Sequence, residues 1–149
     1  MPKLPTHRQY ITVVGFYHED TGLVQILWPD LTAESLAAAL PKAERVYTFN
    51  GNNFDISVIR NQLGLDLLDY YKSRDLMYDC WKQGLKGGLK KVEQVLGIQR
   101  EQPPLSNYEI QRCWTRWKHH DAKLALEMLL KYNEDDVMNL LELRRKLRV

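Results

Sequence analysis

The sequence predicts an α/β domain in which a small mixed sheet is flanked by helices. Three observations predict it. Two β-branched and aromatic runs, Tyr10–Tyr17 and Leu23–Trp28, bracket the turn-forming stretch His18–Gly22. A third such run, Arg45–Phe49, leads into a polar, Gly-containing stretch and then a helical pattern. From Leu89 onward, apolar residues recur mostly at helical spacing.

Each element follows in order. The first nine residues carry Pro2 and Pro5 and no periodicity, so they read as a tail. The first two runs make a hairpin. Thr32, with Glu34 and Ser35, opens a short helix that ends near Leu40, before Pro41. After the third strand, Phe54, Val58, Ile59 and Leu63 predict a helix stopped by Gly64. The stretch from Leu67 to Leu76 mixes both patterns. Gly84 to Gly88 breaks the chain; Leu89, Val92, Val95 and Leu96 then form one helical face ending at Gly97. A loop with Pro103 and Pro104 precedes a short helix, Tyr108–Lys118, rich in Trp and Arg. Asp121 is expected to cap a long final helix reaching about Leu147. A chain of 149 residues fits one domain, and residues 1–149 show no internal boundary or repeat.

Apolar residues make up 44% and charged residues 27% of the chain, the balance of an ordinary globular protein. The formal net charge is only +2, so charge alone does not designate a nucleic-acid binder. Basic residues do cluster, as Lys82, Lys86, Lys90 and Lys91, as Arg112, Arg116, Lys118 and Lys123, and near the C-terminus as Arg144, Arg145, Lys146 and Arg148. Such groups contact phosphates; equally, they solvate helix faces and suit helix C-termini. Cys80 and Cys113 lie far apart without metal-binding spacing, so they read as free thiols in a reducing compartment. No apolar run approaches the roughly 18 residues of a membrane span. No signal-peptide core is present, and a cytoplasmic location is expected.

Two places can carry chemistry. Asp55 follows a strand and an Asn/Gly loop and opens a helix, where ligands of α/β sheets sit. An acid there also simply complements the helix dipole. Tyr132 and Asp136 are four apart on the last helix and share one face, with Leu124, Met128 and Leu140 continuing the stripe. A carboxylate in an apolar stripe needs a metal or a cationic partner such as an Arg. Asp135 points about 100° away and is expected to be solvated.

Taken together these segments resemble a known family. Thr48-Phe49-Asn50-Gly51-Asn52-Asn53-Phe54-Asp55 resembles the second motif of the DEDD superfamily of RNase H-like 3′–5′ exonucleases. The likeness is closest to stand-alone exonuclease domains and to proofreading domains of family B DNA polymerases. Tyr132-Asn133-Glu134-Asp135-Asp136 fits the third motif of the tyrosine subclass, and Gly87 to Ile98 is similar to the helix between them. The likeness runs from about Tyr10 to Leu143.

The resemblance implies phosphodiester hydrolysis at the 3′ end of single-stranded DNA or RNA by two Mg²⁺ or Mn²⁺ ions about 3.5–4 Å apart. Asp55 and Asp136 would be ligands and Tyr132 would position the attacking water. Asn50, Gly51, Asn53 and Phe54 would lie against the nucleic acid, Asn50 otherwise holding the loop, with core packing the expected role of Phe54. The family's first motif, Asp-x-Glu on a preceding strand, has no counterpart here: Tyr17-His18-Glu19-Asp20 reads as a hairpin turn. The domain is therefore expected to be N-terminally incomplete and to lack the first strand, with weak metal binding, little nuclease activity and an exposed sheet edge open to homodimerisation. Truncation, natural degeneracy and a rearranged site using Glu19 and Asp20 remain as three accounts. The rival reading is a non-catalytic nucleic-acid-binding module in which Trp81, Trp114 and Trp117 stack on bases, or else pack in the core and interfaces. A third is an interaction domain without nucleic acid.

Overall fold

The computed structural model describes residues 11–149, so the tail and Tyr10 lie outside the described residues. Among them are four strands and six α-helices, a mixed α/β architecture as the sequence predicts. β1 (Val13–His18) and β2 (Gly22–Leu27) form the antiparallel hairpin, with Val13 opposite Leu27 and His18 opposite Gly22. α1 (Ala33–Ala39) begins at a reciprocal cap in which the Ser35 N–H donates to Thr32 Oγ1 (3.0 Å) and the Thr32 N–H to Ser35 Oγ (2.9 Å).

β3 (Arg45–Thr48) leads through α2 (Asp55–Leu63) to β4 (Lys72–Asp75), which lies parallel to β3 with Thr48 opposite Asp75. The mixed pairing is thus divided between two ladders, β1–β2 and β3–β4. α3 (Leu76–Lys82) starts directly after β4, with Asp75 as its cap. α4 (Leu89–Leu96), α5 (Asn107–His120) and α6 (Lys123–Leu147) follow. Asp121 proves to be the left-handed C-cap of α5 (φ 51°), and α6 begins behind Ala122. The short polar side chain of Asp tolerates that backbone, which is why it closes one helix rather than opening the next.

The core has two parts. One gathers Leu36, Ile56, Ile59, Leu65, Leu67 and Tyr71, with Val14, Phe16, Ile26 and Val46 packed against them. The other gathers Leu76, Cys80, Val92, Ile98, Leu143 and Leu147. The hairpin is tied to α6 by Gln25, whose Nε2 donates to the Leu130 carbonyl (2.8 Å) and Asn133 Oδ1 (3.1 Å). Both cysteines are free, Cys80 buried and Cys113 half-buried. No helix among the described residues is long and apolar enough to cross a membrane.

Candidate functional site

The loop between β3 and α2 is held from below. The Asn50 N–H donates to Asp75 Oδ1 (2.7 Å), which also accepts from the Met77 N–H (3.0 Å). One carboxylate oxygen thus anchors the loop and caps α3. Asn50 is in the left-handed region (φ 58°), and its Oδ1 accepts from Asn53 Nδ2 (2.9 Å). Asn52 Oδ1 accepts from the Ser73 hydroxyl (2.7 Å), fixing the loop to β4 as well. Gly51 is buried against Thr48. These contacts deliver Asp55 to the first turn of α2, where its charge suits the helix dipole. Phe54 is 60% exposed, which corrects the expectation that it packs in the core. The loop turns its ring outward because Ile56 and Ile59 already fill the buried face of α2.

On α6, Tyr132 and Asp136 do share a face, and two cations meet it. Arg100 forms an ion pair with Asp136, and Lys90 Nζ lies 3.7 Å from the same oxygen. Lys90 and Arg100 also sit over the Tyr132 ring, at 4.7 and 5.0 Å from its centroid. Arg100 reaches further, with Nη1 donating to Glu93 Oε1 (3.1 Å) and Nη2 to the Tyr132 carbonyl (3.4 Å). Asn139 Nδ2 takes the other Glu93 oxygen (2.7 Å). The cationic partner that an acid in an apolar stripe requires is therefore present. Two expectations change. Leu124 is 76% exposed, so the apolar stripe begins later than its spacing implies. Asp135 is buried, not solvated, because its Oδ2 accepts the Gln102 N–H (2.8 Å) from the loop beyond α4.

Asp55 and Asp136 line one groove. The protein crowded around Asp55, then the charges of Asp136 and Asp75, push its carboxyl from 3.8 up to about 6. Burial also raises Asp136, against the opposing pull of Lys90 and Arg100. A carboxyl whose folded pKa exceeds its unfolded value holds its proton more tightly when folded. Its stabilising contribution is present below about pH 4 and is lost as pH rises through about 6. A shift of that size is worth about 3 kcal/mol for a fully buried group. Asp55 keeps solvent contact, which reduces it to about 1 kcal/mol. Asp55→Asn is accordingly expected to stabilise the chain by about 1 kcal/mol near pH 7.5 and to be neutral near pH 4, read by urea unfolding. Equal effects at both pH values would refute this origin.

Two further buried oxygens stand near the strand ends. Thr48 Oγ1 and Asp75 Oδ2 lack hydrogen-bond partners among the described residues. Lys90 and Arg100 escaped the sequence reading as partners of Asp136, whereas the sequence leaves Asp75 either near the site or on the surface. Asp75 has a helix-cap signal, an acid just before the apolar Leu76 and Met77. Arg100 has none, since nothing local in a loop shows which acid it will meet.

The sequence model of the RNase H superfamily matches residues 3–148, nearly the whole chain. The chain belongs to the RNase H superfamily. Its small sheets and surrounding helices are consistent with an RNase H-like fold. No curated protein and no solved structure matched. The superfamily generally uses divalent metals. In this member, no group of three or more His, Cys, Asp or Glu among the described residues is arranged to hold one. Asp136, moreover, is already neutralised by Lys90 and Arg100. Two ions held side by side need carboxylates to bridge and flank them, and the described residues bring no three acids together for this, so they do not fit a two-ion centre.

Proposed function

We propose that this superfamily member holds a 3′ end of single-stranded DNA or RNA beside Asp55, Tyr132 and Asp136, on the body of a 3′–5′ exonuclease of the tyrosine subclass. In the form of this chain it binds the strand and cuts it little or not at all. The pairing of Asp136 with Lys90 and Arg100 supports this reading. Arg100 is shared between Asp136 and Glu93, while Lys90 is partly exposed and its ammonium keeps donors for a phosphate without any ion. The same pairing withholds from a metal one of the two carboxylates it would need.

The test uses a 5′-fluorescein-labelled oligothymidylate. Fluorescence anisotropy is expected to show binding in EDTA that weakens steeply with salt, as counterion release requires. Gel analysis is expected to show little shortening in Mg²⁺ or Mn²⁺. Robust metal-dependent degradation, abolished by Asp136→Ala, would show an active exonuclease instead. No binding in either condition would leave neither reading standing.

A further inference from the structure

α3 and the loop after it carry an aromatic and basic surface that does not line the groove of Asp55 and Asp136. Leu76, Met77 and Cys80 turn α3 into the core. Tyr78, Trp81 and Lys82, three and four positions apart, therefore share its outer face. Tyr78 is 42% exposed and Trp81 43%, and their rings meet edge-on at 5.1 Å. An edge-on contact covers one face of one ring and leaves ring surface open. Lys86 Nζ lies over Trp81, 5.0 Å from its centroid. From Cys80 to Val92 the chain has four lysines, Lys82, Lys86, Lys90 and Lys91, and no acid. Lys82, Lys86 and Lys91 are exposed, and none is in an ion pair among the described residues.

This surface leads to the candidate site. The pairing of a lysine with a ring recurs there, with Lys90 over Tyr132. The main chain from Lys86 to Lys90 spans at most about 14 Å, so the two pairs stand at the ends of one short segment. Gly87 and Gly88 join them. Gly87 has φ 99°, and a Cβ there would stand 2.8 Å from Lys91 Cδ, so the absence of a side chain lets the Lys91 stem lie against the turn. Lys90 and Lys91 occupy the first turn of α4, where the helix dipole adds to their charge instead of offsetting it. Like charges in a row repel one another until an anion lies along them. Exposed rings beside the unpaired ammonium groups match an anion that also carries flat bases. An acidic peptide would use the lysines alone.

We propose that this surface is the track of the single strand behind its 3′ end, which rests on the reading that the end itself lies beside Asp55, Tyr132 and Asp136. The next phosphates on the 5′ side pass from Lys90 to Lys91 and Lys86, and then to Lys82. A base from the same stretch stacks on Trp81 or Tyr78. Lys86 leaves its ring to take a phosphate and breaks no ion pair in doing so. Such a track serves any sequence, because every nucleotide has a phosphate and every base a π-face. A duplex cannot use the rings, since its bases are already stacked on one another.

The test titrates the full chain, in EDTA, into 5′-fluorescein-labelled oligothymidylates of three and of eight nucleotides, read by anisotropy. Trp81→Ala is expected to weaken binding of the eight-nucleotide strand about tenfold and to leave the three-nucleotide strand unchanged. The double variant Lys82→Gln, Lys86→Gln is expected to lower the salt slope for the longer strand by about 1.4, at roughly 0.7 per phosphate. The lysine variant removes no packing, so it decides the test even where Trp81→Ala lowers the urea midpoint. An eight-nucleotide abasic strand is expected to bind about tenfold less tightly and to be indifferent to Trp81→Ala. Unchanged affinity and salt slope in the double variant overturn the proposal, and so does an equal loss on both lengths with Trp81→Ala. Abasic binding as tight as that of oligothymidylate also overturns it and assigns the lysines to acidic ligands in general. The end-binding reading fails separately: the three-nucleotide strand then does not bind, while the same variants still weaken the longer one.

Discussion

Replacing Arg100 with alanine is expected to cost about 3–5 kcal/mol of folding stability, read as a lowered urea midpoint. The side chain is 6% exposed and bridges Glu93, 2% exposed, to Asp136. Removing it leaves the Glu93 carboxylate in the interior with only the Asn139 amide against it. A buried carboxylate without its cation loses far more than one hydrogen bond, because its desolvation is no longer compensated. Typical domains have only about 5–15 kcal/mol in total, so the variant should be marginal at 37 °C. Arg100→Lys should recover only part of the loss, since a single ammonium cannot reproduce the contacts of the guanidinium fork with both acids. A cost below about 1 kcal/mol would show that this network does not hold α4 to α6.

The second large effect is expected at Gly51. A Cβ there would overlap Thr48 Oγ1 and Cβ and sit 2.6 Å from Thr48 Cγ2. Thr48 belongs to β3 and cannot swing away as a long side chain would, so the loop must move. Gly51→Ala is expected to destabilise by about 1–3 kcal/mol, the range for overpacking. It should also shift the NMR resonance of the Asn50 amide as its bond to Asp75 is disturbed. Gly64→Ala is the contrast. Its φ is 77° and nothing lies within 4 Å, so only backbone strain of about 1 kcal/mol applies. Equal costs at the two positions would mean that the space beside Thr48 does not matter.

What the sequence disclosed follows from how local each feature is. The hairpin, the Thr32 cap and the glycine stops at Gly64 and Gly97 are decided by neighbouring residues, and they stand where the pattern puts them. β4 is different. Lys72-Ser73-Arg74-Asp75 has no strand composition; it is extended because β3 offers it a parallel ladder and because Arg74 turns to Asp79 (2.8 Å). The joining of Asp55 and Asp136 in one groove was legible only as motifs 81 positions apart, the difference between their numbers. That Asp136 would meet an Arg was legible in kind, but neither which Arg nor the burial of Asp135 was. Both depend on Gln102 and Arg100, two loop residues whose positions are fixed by tertiary packing.

The two-part core has a consequence for how the chain comes together as it is made. The first cluster and the residues packed on it all lie between Ile11 and Tyr71, ahead of every residue of the second. It can condense while the remainder is still being synthesised. The second cluster joins Leu76 to Ile98 with Leu143 and Leu147, which emerge much later. Until those two leucines arrive, Cys80 and Val92 lack part of their cover, and the acid of α6 has yet to reach the Arg100 that waits for it.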